Sequence, residues 1–469
     1  MTTADTSPAP NGTWRELFSA PYLPIAFVLA GGVALHAVNI FLTTSLLPTA
    51  VDDIGGLKLY AWTTTVFMVA SVVSSMLVSR LLAGHGPAKA YLAGLTPFIV
   101  GTLLCAVSPN MEVMLVGRTV QGFGGGLLTG LGYALIQSSF PQHLWARATA
   151  LVSAMWGVGT LAGPAIGGAF AQVGAWRLAF IVLAAFGVVI AVIAPRVLPA
   201  TERSGSAEPI PAMSLVLLTA TTAAISIAGV LEESVAMLVM LAIGLGLLFA
   251  FVGWERRAAV SVLPAATYTR HSPLRWLYLT AAFLSMGTVV EAFTPLFGKH
   301  LGGLDPLLAG FLGAALSLGW SITMVFSSNA ETQRLQRGLR VAGPAVLGLG
   351  LAIAALLQRA DMSAFAVTGW ALALVLAGSG IGLAFPHLIV AVMGSSDDPD
   401  QAAKASAGIN TVELMSLAFG SAIGGVLVNL GSTMQQSSIL LLVGLAAFAF
   451  VGVLTGTRSN RQALVAPAS

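Results

Sequence analysis

Long apolar runs separated by short polar breaks fill the chain from residue 22 to residue 455. A helix that crosses the hydrocarbon core of a bilayer needs roughly 20 such residues. Fourteen runs meet that need, at 22–47, 59–82, 90–107, 112–138, 147–171, 177–195, 213–231, 235–254, 274–297, 306–326, 341–357, 363–388, 406–430 and 436–455. Each is predicted to be a membrane-spanning helix. The stretch 213–254 is too long for one crossing, and the neighbouring acids Glu232 and Glu233 divide it at a solvated turn. The first twenty residues are polar and lack the basic-then-apolar order of a cleavable signal, so the first run is expected to be retained.

Composition supports the pattern. The chain is 57% hydrophobic and only 8% charged, with mean hydropathy +0.89, where soluble domains carry about 25% charged residues. This is an integral membrane protein. The net charge of +3 does not point to a nucleic-acid partner, because the basic residues sit in short loops. Cys105 is the only cysteine, which leaves no disulfide framework and no cysteine-based metal site. With the N-terminus in the cytoplasm, only Lys58, Arg177, Lys299 and Arg359 of the 21 basic residues fall outside, and Arg118 lies within a span. That bias fixes orientation and an even number of spans, although twelve would satisfy it as well as fourteen. No phosphate-binding loop, HExxH or nucleophile elbow occurs, and no loop is long enough to build an enzyme's site.

Two internal features stand out. Gly159, Gly163 and Gly167 recur every four residues on one helical face of the fifth span. Such a face lets two membrane helices approach closely. Pro164 frees the carbonyl of Thr160 and favours a bend. The hexapeptide GPAIGG at 163–168 returns as GSAIGG at 420–425, and sixteen residues before each lies RATA (147–150) or KASA (404–407). Spans five and thirteen correspond if two six-span halves flank an inserted pair, the parallel-repeat plan of one transporter class. The expected organisation is a tail at 1–21, a bundle at 22–197, a linker with two extra spans at 198–273, a second bundle at 274–456 and a tail at 457–469.

These motifs resemble the major facilitator superfamily, in its fourteen-span drug:proton antiporter branch. The glycine–proline run of span five, with Gly168 at its end, is similar to the antiporter motif of that family. LVGRTVQGFG at 115–124 is similar to its second motif, and NIFLTTSLLP at 39–48 followed by DIGG at 53–56 to its first-span signature, with Trp62 opening span two. Two departures stand beside these likenesses. The loop SRLLAGHGPA at 79–88 has Ala83 where the family has an acid, keeping only Gly86, and Asn39 stands where the branch has aspartate. The resemblance implies an all-α fold of two six-helix bundles plus two central helices. It also implies proton-coupled efflux of lipophilic or cationic small molecules by alternating access, as in multidrug and antibiotic resistance. The proton gradient would be the energy source, with no other cofactor, in a monomer of the bacterial inner membrane with both termini cytoplasmic. A dedicated transporter of one metabolite, and a non-transporting membrane sensor, are the competing readings.

Candidate residues follow from the cost of polarity in lipid. Glu291, in GTVVEAFTPL at 287–296, and Glu413 lie inside spans and are the candidate proton-coupling acids; a structural hydrogen bond competes at each. Arg118 is expected to organise the outer cavity with Asn39, Gln121 and Glu291, with a fold-holding role as the alternative. His36 lies one turn from Asn39, and His387 is placed near a cytoplasmic surface. Trp156, Phe283 and Phe293, with Phe41 and Phe67, are candidate cavity aromatics, each with packing as an equal reading. Met155, Met286 and Met415 would give an adaptable lining. Gly159, Gly163, Pro164, Gly167 and Gly168 are expected to form a bent gating helix between the two halves.

Overall fold

The computed structural model describes residues 13–198, 209–231, 233–269, 272–330, 332–395 and 399–465. Among them there is no strand. Fourteen long helices occupy the fourteen predicted runs. They are α1 (Leu23–Ile54), α2 (Tyr60–Ser75), α3 (Val78–Ala106), α4 (Met111–Ala134), α5 (Trp145–Gln172), α6 (Trp176–Val197) and α7 (Ala212–Val230). There follow α8 (Ser234–Glu255), α9 (Leu274–Gly302), α10 (Pro306–Ser327), α11 (Gln333–Leu357), α12 (Ala364–Met393), α13 (Pro399–Asn429) and α14 (Met434–Val465). Thirteen are long and apolar enough to cross a membrane on length and composition. The other, α4, is a 24-residue helix that carries Glu112, Arg118 and Gln121 among its apolar residues.

Local chemistry sets the boundaries. Asn110, Asp305, Thr332 and Ser363 each accept a backbone N–H of the first turn of the helix they precede. The segment 78–88 is not a loop: α3 begins at Val78 and is broken only at Gly86, whose φ of 75° suits glycine, before Pro87 restarts it. Helix α9 consists of Leu274–Gly287 and Val290–Gly302, interrupted at Thr288 and Val289. Pro295, lacking an N–H, leaves the carbonyl of Glu291 without its helical partner just beyond that break.

An even number of crossings places both chain ends on one side, here termed the terminal face. Helices α1–α6 and α9–α14 form two halves that meet along α2–α13 and α5–α10. Every described hydrogen bond or ion pair between the halves lies toward the opposite face. Tyr60 donates to the Ala292 carbonyl (3.0 Å), Thr65 to Ser421 Oγ (3.1 Å), Ser421 to the Ala61 carbonyl (3.1 Å) and Asn429 to the Lys58 carbonyl (2.9 Å). Lys299 pairs with Asp52. Farther from that face the α2–α13 seam is apolar, built from Phe67 and Met68 against Ala418 and then Val72 against Met415.

The extra pair leans on this seam from outside. Gly229 of α7 packs on Val426, and Trp62 Nε1 donates to the Ser226 carbonyl at 3.2 Å. Helix α8 packs on α7 through Gly244 and buries little else. Its last residue, Glu255, is 2% exposed and receives donors from Ser214 Oγ (2.5 Å), Val262 N (3.1 Å), Leu263 N (3.3 Å) and the Tyr268 hydroxyl (3.0 Å). Those donors satisfy a buried carboxylate without a cation. Glu233, at the turn between α7 and α8, is exposed; Glu232, Arg203 and Arg270 lie outside the described residues.

Candidate transport site

The repeated glycines occupy matching places in the two halves. A Cβ on Gly159 would meet Ala37, one on Gly163 would meet Phe41 and Leu42, and one on Gly167 would meet Leu42, all of α1. In α13, Gly420 packs on Met286 and Val289 of α9, and Gly424 on Phe293. The last glycine of each repeat turns to the other half: Gly168 to Pro306 and Leu307 of α10, Gly425 to Ala61 of α2. The three-glycine face of α5 therefore lies within its own half, against α1. Gly168 and Pro164 border α10, where Gly310 leaves room for the Pro164 ring. Helix α5 runs without interruption from Trp145 to Gln172 through Pro164. A proline bend can be absorbed within a continuous membrane helix when neighbours satisfy the freed groups, and the Pro164 carbonyl itself accepts from Ser45 Oγ at 3.5 Å.

At mid-depth in the N-terminal half lies Arg118, 2% exposed. Its Nε donates to the Thr63 carbonyl (3.2 Å), and its Nη1 to Gln121 Oε1 (2.6 Å) and Thr43 Oγ1 (3.3 Å). The guanidinium lies 4.1 Å from the centre of the Phe67 ring. Gln121 is fixed by donating to Thr102 Oγ1 at 2.7 Å, and Thr43 donates to Asn39 Oδ1 at 3.3 Å. Asn39 thus joins through Thr43. Its Nδ2, like His36 Nδ1, is buried without a partner. His36 stacks on Phe67 at 5.3 Å and meets Trp156 edge-on at 5.6 Å. Arg118, Gln121, Asn39, His36 and Trp156 are therefore neighbours. Glu291 is not among them, because it belongs to the other half and bonds there. A guanidinium held only by neutral oxygens and a ring keeps its full charge, so this cage repels a second cation.

The acids lie in the C-terminal half. Glu291, half-buried in the first turn after the α9 break, accepts from Ser317 N (2.9 Å) and Ser317 Oγ (2.5 Å) of α10. Glu413 is half-buried in α13 and has no described hydrogen bond. Its place seven residues before Gly420 puts it about 10 Å nearer the terminal face. Several expectations change here. Phe293 is 1% exposed and packs on Tyr60 (5.6 Å) in the seam. Phe283 stacks on Phe448 of α14 at 6.2 Å, away from the other half. Met286 and Met415 are buried, and His387 is buried against Ser327 rather than at a surface. Met155 lines a wholly apolar groove of about 490 Å³ between α1, α5 and α6, floored by Ala30, Gly31 and Leu35.

Residues 29–420 match the family description Major Facilitator Superfamily. The chain belongs to the major facilitator superfamily. It is 46% identical over 426 residues to a "probable multidrug-efflux transporter" of Mycobacterium tuberculosis, covering 89% of this chain and 90% of that one. It is also 25% identical over 311 residues to the multidrug efflux pump SdrM of Staphylococcus aureus, covering 65% and 68%. The fold matches an auto-inhibited POT family peptide transporter (TM-score 0.67, 17% identity, 93% and 96% covered). It also matches a bacterial homolog of the human lysosomal transporter Spinster in an inward-facing, unoccupied conformation (TM-score 0.63, 15% identity, 94% and 99% covered). This facilitator is a multi-pass membrane transporter of small molecules.

Within the facilitator, the two sequence departures have visible surroundings. Asn39 is fully buried and takes part in the Arg118 cage only as an acceptor, where an aspartate would have neutralised the arginine. Ala83 lies in the helical segment before Gly86 and brings no charge to that connection. The threonines that complete the cage, Thr43, Thr63 and Thr102, carry no sequence signal beyond lying on turns next to Asn39, Phe67 and Cys105.

Proposed function

We propose that this transporter exports lipophilic small molecules, cationic ones included, in exchange for protons by alternating access. The coupling reading rests on one observation: the half-buried acids of the membrane interior, Glu291 and Glu413, sit in the C-terminal half at different depths with no cation paired to either. The substrate class follows the multidrug-efflux relative, whose likeness spans 89% of the chain. The terminal face is read as cytoplasmic from the basic residues. A bundle stitched only toward the opposite face then corresponds to an inward-accessible state.

In that state Glu413 is the first acid reached from the terminal face. A carboxyl that exchanges its proton for a monovalent cation leaves the charge of the interior unchanged, and one that gives up its proton when a neutral substrate binds lowers it by one, with Arg118 fixed in the other half. Rocking of the halves carries Glu291 and Glu413 to the other side, where protons reload them. Apolar substrates gain contact with the small-residue and aromatic surfaces of α1 and α5. The test is uphill export from proteoliposomes with an imposed pH gradient. Glu291→Gln and Glu413→Gln are each expected to lower uphill export by about tenfold or more while downhill exchange persists. If both variants export uphill at the wild-type rate, the coupling acids are elsewhere.

A further inference from the structure

Two arginines are buried among the described residues, and they differ in one respect. Arg118 donates to the Thr63 carbonyl, to Thr43 and to Gln121. Arg340, 7% exposed and two turns into α11, makes no described hydrogen bond, and its Nε is buried without an acceptor. One turn on, Gly343 packs on Gly380 and Ala384 of α12, and the antiparallel run of the two helices brings Arg340 beside His387. The two lie within electrostatic reach of each other. His387, 3% exposed, shares a 2.9 Å hydrogen bond with Ser327 Oγ of α10, and that hydroxyl donates to the Leu383 carbonyl. Arg337, half-buried one turn closer to the terminal face, also acts on Arg340 and has only a 3.5 Å contact to Gln333. From α14, Asn460 contributes an amide to the Arg337 carbonyl, not an acid. The described ion pairs are all elsewhere.

A buried guanidinium without a counter-charge costs several kcal/mol. Arg337 and Arg340, one turn apart on α11, add to that cost by mutual repulsion. We propose that Arg340, Arg337 and His387 form an anion site at the terminal-face end of α10, α11 and α12, which takes a phosphate group. The guanidinium fork of Arg340 matches two phosphate oxygens. Arg337 closes the entrance from the water side. The depth, two turns from the helix start, suits a phosphate at the bilayer–water boundary. The same chemistry is offered by a phospholipid headgroup and by free inorganic phosphate.

The experiment uses the full-length transporter and the variants Arg340→Met and Arg337→Gln, in neutral detergent without phosphate, with inorganic phosphate, and in nanodiscs of phosphatidylcholine with or without phosphatidylglycerol. Without anion, Arg340→Met is expected to melt at or above the wild-type temperature, because it removes an unpaired charge. With the anion the order reverses. Binding of the probe, read by titration or by lipid retained in native mass spectrometry, weakens by about tenfold or more in Arg340→Met and less in Arg337→Gln. A response to phosphatidylglycerol alone assigns the site to a lipid headgroup, and a response to inorganic phosphate in detergent assigns it to free phosphate. The site is refuted if Arg340→Met is equally destabilised in every condition. It is equally refuted if Arg337→Gln and wild type bind both probes alike.

Discussion

Helices α5 and α13 carry the same glycine spacing in equivalent places, yet they make unlike seams. Where α5 meets α10, the Gly168 backbone lies on Pro306 and Leu307, and the Pro164 ring fits beside Gly310, with no described hydrogen bond between the halves. Where α13 meets α2, Ser421 replaces the proline and bonds to Thr65 and the Ala61 carbonyl, with Asn429 bonded to Lys58 farther out. Both seams are close because glycine allows it. Only one has a register fixed by directional bonds. If the halves rock as proposed, the smooth seam is the one placed to slip and the stitched one the pivot.

That contrast can be broken most forcefully at Gly168. A Cβ there would already lie 2.7 Å from Leu307 Cα, so Gly168→Leu must wedge the halves apart. Overpacking of this kind costs 1–3 kcal/mol or more, and uphill transport in proteoliposomes should fall by about tenfold or more. Gly157→Leu is the control, since nothing lies within 4 Å of its Cβ position, and it should transport nearly as wild type. A smaller effect is expected of Pro164→Ser, which makes α5 resemble α13. It restores the helical bond to Thr160 and adds a hydroxyl at the smooth seam, so thermal stability should rise while turnover slows by about fivefold. Unchanged turnover with raised stability would show that the slip occurs elsewhere. The mildest change is Ser421→Ala. Thr65 keeps its bond to the Ala61 carbonyl at 3.1 Å, so the loss is about 1 kcal/mol. Spin labels at Val107 and Phe365, both exposed near the opposite face, should report a longer-distance population grown by no more than about fivefold.

Much of this architecture was readable before any coordinates. Apolar length, with Glu232 and Glu233 dividing the run at 213–254, marks the fourteen crossings, and the repeat marks which helices correspond. What could not be read follows from where helices end and which way their faces turn. Helix α11 starts at Gln333, eight residues before the apolar run at 341, so Arg340 lies inside a helix that hydropathy begins only after it. Helix α12 continues to Met393, which draws His387 into the interior for the same reason. Polar residues at a span's end look like surface in a sequence, and neighbouring helices decide otherwise. The partners of Arg118 were half visible: Gln121 shares its helix face, whereas Thr43, Thr63 and Thr102 arrive from three other helices. Phe293 and Glu291 are two residues apart and point to different neighbours, a distinction that α9's break and its packing create.

The carboxylate of Glu255 also sets a length. Unclamped, the chain from residue 255 to residue 274 could extend about 65 Å. With Val262, Leu263 and Tyr268 tied back to Glu255, that reach is cut short. Helices α7 and α8 are thereby held on a short lead from the start of α9. The added pair is thus linked to the C-terminal half by a short connection and to the N-terminal half by the bond from Trp62 to the Ser226 carbonyl.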